Sequence, residues 1–311
     1  MRSDCIFFIP AAGKGSRLLP LTLKQCKPSL PIKLSSDGKI VRMIEIPLNI
    51  VEGLDCKAIV TACYKAEKLR FVNGYSNVIY KILDDPDFNK ALFECEQFFK
   101  ESGIRVVCYL PSDALISATV IEDMFNEVDD NTLAVLLCTR ELKGHNLRKR
   151  DKNGFLTEYG GEYCGDLGIY MINVEKFFDN KENLEGFDIV KCWNQKKYMR
   201  KGRIKLHFAN PDIRYVDMGT PSAFNEVIRN FNKKNIDKNG NIIFPEAVIN
   251  NCSKNIIALP GSNSANFVLH DCIVPESKCV EKYDDVLYIP SENRKYFDMV
   301  QFRFCEAAGI F

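Results

Sequence analysis

The chain has 311 residues, of which 46% are hydrophobic and 27% charged, an ordinary balance for a globular protein with either one large α/β domain plus an appendage or two modest domains. A formal net charge of +1 gives no global pull towards nucleic acid or a membrane surface, so any basic function has to be local. In chain order, "CIFFIP" (5–10) reads as a buried strand running into a glycine turn, and "IVRMIEIPLNIVEGL" (40–54) has the apolar spacing of a helix ending near Gly53. "CKAIVTAC" (56–63) predicts a second buried strand and "NKALFECEQFFKESG" (89–103) a helix with a glycine stop. "IRVVCYLPSD" (104–113) predicts a third strand, "TVIEDMFNEV" (119–128) a short helix and "TLAVLLCTR" (132–140) a fourth strand. "GDLGIYMIN" (165–173) and "IRYVDMGTP" (213–221) are strand-like, and "SAFNEVIRNFNKKNI" (222–236) is an amphipathic helix.

This alternation predicts a Rossmann-like α/β domain over residues 1–235, a mixed but mostly parallel sheet with helices on both faces. From about Asp237 the pattern breaks into short apolar pieces separated by Asn, Ser, Gly and Pro, which predicts a small β-rich region over 236–311. A weak six-residue spacing there suggests a turn or two of left-handed β-helix. The 13 cysteines include no CxxC pair, and several, such as Cys108 and Cys138, sit inside apolar runs. They read as buried thiols in a reducing compartment. The run "CIFFIPAA" is too short to span a membrane and lacks the layout of a signal peptide, so the expected location is the cytoplasm.

Chemistry concentrates in "IPAAGKGSRLLPLTLKQCKPSLPI" (9–32). A strand ending in a glycine-rich turn offers backbone N–H groups to an anion, and Gly13 and Gly15 let the main chain approach a phosphate closely. Lys14, Arg17 and Lys27 add charge able to neutralise a polyphosphate. Two familiar glycine loops are excluded. The P-loop spacing is absent, and the dinucleotide fingerprint would need glycine where Leu18 stands. A strand-to-helix turn with solvated cations would account equally well for the glycines and Arg17 taken alone.

The full stretch, G-x-G-x-R followed by L-P-x-T and then K-P, resembles the signature of the sugar-1-phosphate nucleotidylyltransferases, with Ser16 where threonine is more common. The resemblance implies that Ala11, Ala12, Gly13, Lys14, Gly15 and Ser16 hold the nucleotide and that Arg17 and Lys27 clamp its phosphates. It further implies a Mg²⁺ ion held by Asp113, in "YLPSDAL", and Asp217, in "VDMGTP". Ser112 replaces the glycine usual before the first aspartate. "NGFLTEYGGEYCGDLGIY" resembles the sugar-binding stretch, which implies roles for Gly154, Glu158, Glu162, Asp166, Gly168 and Tyr170; as a bare sequence it is also a plain hairpin.

Two departures stand out. No lysine follows Glu158, where relatives use one on the sugar phosphate, and Lys191, Lys196, Lys197 and Arg214 are the candidate substitutes. The stretch "DDPDFNKALFEC" lacks the glycine usual near the base. The implied reaction joins a sugar 1-phosphate to a nucleoside triphosphate and gives NDP-sugar and pyrophosphate; the N-terminal loop is most like the uridylyltransferase form and points to UTP, whereas "DMGTP" is more like the thymidylyl-, guanylyl- and adenylyltransferase form. Two other readings stay open: a cytidylyltransferase acting on a non-sugar phosphate, and a module of the same fold that binds without turnover. Neither nucleic acid nor a membrane is an expected partner. Ile256, Ile257, Phe267 and Val268, if exposed, would suit contact between copies of the chain.

Overall fold

The computed structural model describes residues 3–35, 37–140, 146–157, 161–179, 203–208, 216–266, 269, 272–275 and 287–288. The chain forms two compact units, one made of Met1–Ala12, Pro47–Cys63 and Phe71–Tyr215, the other of Gly13–Ile46, Tyr64–Arg70 and Val216–Phe311. Both differ from the expected break at residue 235. Among the described residues no helix is long and apolar enough to cross a membrane, and the described cysteines are all free thiols.

The first unit is built on strands β1 (Cys5–Pro10), β4 (Lys57–Ala62), β5 (Val78–Ile82), β6 (Val106–Tyr109), β8 (Ala134–Thr139), β9 (Asn146–Arg150), β10 (Glu162–Asn173) and β11 (Ile204–Phe208). They make one eight-stranded sheet in the order β11-β8-β10-β6-β1-β4-β5, with β9 beside β10. β1, β4, β5 and β6 run parallel, as do β8 and β11. β10 is the exception, antiparallel to β6, β8 and β9.

The sheet is apolar on both faces because alternate residues of each strand point opposite ways. Ile6, Phe8, Ile59, Val107, Tyr109 and Tyr170 pack on one side with Phe93, Phe99, Phe177 and Phe178. These phenylalanines come from helices α2 (Phe88–Glu94), α3 (Glu96–Glu101) and α5 (Val174–Phe178). Their rings interlock, with Phe93 and Phe177 centroids 5.5 Å apart and Phe177 meeting Phe178 edge-on at 5.1 Å. On the opposite side Cys5, Phe7 and Met171 line a small cavity together with Leu54, which follows α1 (Glu45–Gly53), and Ile121 and Phe125 of α4 (Ala118–Asn126). Each fully buried ring of this kind contributes about 1.5–3 kcal/mol.

Two segments fold otherwise than the periodicity predicts. The stretch from Ile40 opens as strand β3 (Ile40–Arg42), paired antiparallel with β2 (Pro31–Leu34), and only then becomes α1. Residues 89–103 divide into α2 and α3 at Cys95, whose N–H bonds back to Leu92 O at 3.2 Å.

The second unit is organised around α6 (Pro221–Phe231). The Thr220 hydroxyl caps it by accepting the Ala223 N–H at 3.3 Å, and Pro221 sits in its first turn. Just beyond its end, the buried Asn232 side chain donates to Ile32 O and accepts from Leu34 N–H, both at 2.9 Å, which ties the β2–β3 hairpin to the helix. Lys33 lies over the Phe231 ring at 5.8 Å. Arg229 reaches the other way, to Gly240 O and Asn255 O at 2.9 and 2.7 Å. These ties are why residues 13–46 fall with the C-terminal region and not with the large sheet.

That region is a stack of short parallel rungs. β13 (Ile242–Ile243), β15 (Ile257–Ala258) and β17 (Cys272–Val274) lie in parallel, as do β14 (Val248–Ile249) and β16 (Asn263–Ser264), while β18 (Leu287–Tyr288) closes antiparallel on β17. Ile256 and Ile257 are fully buried in this stack and are not the exposed pair the sequence suggested. Neighbours in a rung point to opposite sides, and here both sides are covered. Phe267 and Val268 lie outside the described residues.

Candidate active site

In the first unit, Ala11 and Ala12 continue β1 and are buried, and the Ala11 N–H donates to Thr61 O at 2.8 Å. In the second unit, Gly13, Lys14, Ser16 and Arg17 are exposed. Gly15 is left-handed, φ 65° and ψ 35°, and its carbonyl accepts the Leu18 N–H at 2.9 Å and the Thr22 hydroxyl at 3.0 Å. A Cβ at this position would lie 2.8 Å from Lys27 Cβ and 3.0 Å from Thr22 Cγ2. Conformation and space thus both demand glycine, and the gap it leaves is filled by the stem of Lys27.

The apolar half of the stretch explains why this loop is held. Leu18, Leu19, Leu21, Cys26, Pro28 and Leu30 are buried under the exposed cations. The Ser29 hydroxyl donates to Cys26 O at 2.8 Å, and Tyr64 Oη donates to Thr22 O at 2.8 Å. The loop is a small-residue, cationic surface on a leucine base.

Also in the first unit, Asp113 sits in the turn after β6, ahead of the short strand β7 (Ala114–Leu115), with its side chain partly exposed. Burial, and after it the Asp113 carboxylate, push the Tyr109 phenol well up. Asp217 ends strand β12 (Val216–Asp217) just before the α6 cap; its side chain lies outside the described residues.

Of the residues expected at a sugar, Gly154 is left-handed at φ 85° in a turn between Arg150 and Leu156, where Asp151 Oδ1 accepts the Asn153 and Phe155 N–H groups. Glu162 is exposed and paired with Arg150 at 2.6 Å, which holds its carboxyl below the usual range. Gly168 has φ 75° and lies where the β8–β10 register shifts, between Asp166 and Tyr170. The Asp166 carboxylate is buried and engaged within the chain. Oδ2 accepts from Arg148 Nη2 at 3.0 Å and Nε at 3.2 Å, and Oδ1 accepts the Gly168 N–H at 2.8 Å. Glu158 lies outside the described residues, as do Lys191, Lys196, Lys197 and Arg214.

Two residues here escape a sequence reading. Arg148 sits in the basic run "NLRKRDK", which looks solvated. Gly161 has φ 83°, and a Cβ there would fall 1.8 Å from Arg150 O. The available signal for Arg148 was its spacing: Arg148 and Arg150 alternate on one strand as Glu162 and Asp166 do on the next.

The "DDPD" stretch carries Asp84, Asp85 and Asp87, which with Lys81, Lys90 and Glu94 line a cavity of about 190 Å³ just beyond β5.

Compared with known proteins, residues 8–141, a little under half of the chain, match the family model for nucleotidyl transferase. The matched segment begins inside β1, contains the glycine loop, Arg17, Lys27 and Asp113, and ends just beyond β8. A protein from Bacillus anthracis assigned as a glucose-1-phosphate thymidylyltransferase, solved with sucrose, superposes with a TM-score of 0.57 at 18% identity. The match covers 75% of this chain and 98% of that one, and shows a shared fold. No curated protein matches the sequence. Asp166, Gly168 and Asp217 lie outside the matched family segment.

Proposed function

We propose that this nucleotidyltransferase moves a nucleotidyl group from UTP to a sugar 1-phosphate and releases pyrophosphate. The observation that carries the reading is the packing of Lys27 against left-handed Gly15 inside the matched segment. It brings a cation to a loop whose residues around Gly15 are small or cationic, the combination a triphosphate needs. The description of the Bacillus anthracis protein supports a sugar phosphate as the acceptor.

On this reading the backbone N–H groups from Gly13 to Ser16 receive phosphate oxygens, as Ala11 and Ala12 carry the main chain towards the base. Arg17 binds the leaving pyrophosphate, and Lys27 neutralises the α-phosphate. An oxygen of the sugar phosphate attacks the α-phosphorus in line, one P–O bond forms and the bond to pyrophosphate breaks. No proton needs to leave the attacking oxygen, which is already anionic, so the chain's task is positioning and charge neutralisation. Asp113 and Asp217 are the carboxylates proposed for Mg²⁺, whose charge would offset that of the phosphates when bound. Oxygen donors are what this hard cation takes, and Asp113 offers a partly exposed carboxylate.

The test is pyrophosphate release from the purified chain with Mg²⁺, each nucleoside triphosphate and a panel of sugar 1-phosphates. The expected result is fastest release with UTP and a hexose 1-phosphate, and a kcat lower by about 10²–10³ in Lys27→Ala. Faster release with dTTP or CTP would overturn the base assignment. Binding of nucleotide without release in any combination would overturn the enzymatic reading in favour of a binding module.

A further inference from the structure

The Arg148–Asp166 pair is the most deeply buried ion pair among the described residues, with side chains 5% and 1% exposed. Such a pair is poor value for stability, because desolvation offsets most of the attraction and an apolar pair of equal size would serve as well. Its geometry is more informative. One oxygen of Asp166 accepts both the Nε and Nη2 groups of Arg148, and the Tyr170 hydroxyl at 3.4 Å. The other accepts the N–H of Gly168, two residues on, in the left-handed turn where the register of β10 slips. Arg148 therefore fixes the carboxylate, and the carboxylate fixes the turn.

The same group also leads towards Asp113. Tyr170 stacks on Tyr109, directly across the ladder, with centroids 5.5 Å apart. Tyr109 in turn lies within the field of Asp113.

We propose that Arg148 is a positioning residue for the acceptor: through Asp166 it sets the Leu167–Gly168 turn, which lies in the stretch that resembles a sugar-binding segment, an inference that rests on that resemblance and on the function proposed above. Arg148 touches neither substrate. Its loss leaves an uncompensated buried carboxylate and loosens the turn, so acceptor binding suffers while the nucleotide side does not.

The experiment is steady-state kinetics with acceptor and nucleotide varied separately, on wild type, Arg148→Met, Arg148→Lys and the double variant Arg148→Met with Asp166→Asn. The expected result for Arg148→Met is an acceptor KM about tenfold higher, with the nucleotide KM unchanged within about twofold. Arg148→Lys, which keeps the charge but loses the planar fork, raises the acceptor KM by a smaller factor. In the double variant the amide oxygen still accepts the Gly168 N–H and no buried charge is stranded, so the acceptor KM returns to within about threefold of wild type. A merely structural role would lower the melting temperature and active fraction and leave this KM difference at zero. Equal changes in both KM values, or a double variant no better than Arg148→Met, would overturn the proposal. If Arg148→Met is recovered unfolded, a wild-type acceptor KM in Arg148→Lys overturns it alone. Absence of turnover in wild type overturns the proposed function and this inference together, whereas normal wild-type turnover with unchanged acceptor KM in the variants overturns only this inference.

Discussion

Asp129 is held by more bonds than its exposed position suggests. Its carboxylate accepts from Lys205 Nζ at 2.7 Å, the Thr132 hydroxyl at 2.8 Å, and the Asn131 and Thr132 N–H groups at 2.9 Å. The Lys205 bond, then that of Thr132, bring its carboxyl down to about 2. A folded value below the unfolded one, about 3.9, means that the contribution is complete above pH 4 and lost as pH falls through 2. Asp129→Asn should therefore lie below wild type in urea midpoint at pH 5, with the gap closing towards pH 2; screening keeps it small because the side chain is more than half exposed. An equal gap at both pH values would contradict this. At this scale Gly15 and Lys27 were legible because glycine and a nearby cation advertise a phosphate loop. The commitment of Asp166 was not, since its partner lies on another strand and a local reading leaves every charge solvated.

Elements were legible where burial was two-sided. β1, β4, β6 and β8 are continuous apolar runs, and each was read in place. β5, β9 and β11 were missed: in β5 Ile79 and Ile82 are exposed and Lys81 interrupts the run, while β9 is largely cationic. β3 was absorbed into a helix because Ile40, Val41 and Ile44 fit a helical stripe equally well, and only pairing with β2 decides between them. The β9–β10 hairpin depends on Gly161, where a Cβ would fall on the carbonyl of Arg150. Gly161→Ala adds about 1–2 kcal/mol of left-handed strain to a clash with the Arg150 carbonyl. The expected outcome is a melting temperature several degrees lower with loss of amide protection at Arg148–Arg150, read by hydrogen exchange. Unchanged protection there would count against it.

For the molecule as a whole, fold class was readable from alternating strands and helices, but the partition into units was not. A break at 235 follows the change in composition, whereas the structure assembles units by side-chain ties that span most of the sequence. Asn232 is the clearest of these, since its two bonds to Ile32 and Leu34 lie about 200 positions away in the chain. An amide supplies the donor and the acceptor on two adjacent atoms, and nothing in "RNFNKK" marks which asparagine does so.

That side chain has a further meaning. By donating to the carbonyl of Ile32 and accepting from the N–H of Leu34, the amide copies the way a parallel strand would address Lys33 between them. It is a single-residue counterfeit of a neighbouring strand, and it occupies the edge of β2 that a foreign strand would seek. Asn232→Leu, close in size but without the amide, would leave that edge open. Light scattering on concentrated, still-folded protein should then show self-association beyond that of wild type, and a variant no more associated than wild type would show that the edge is guarded by something else.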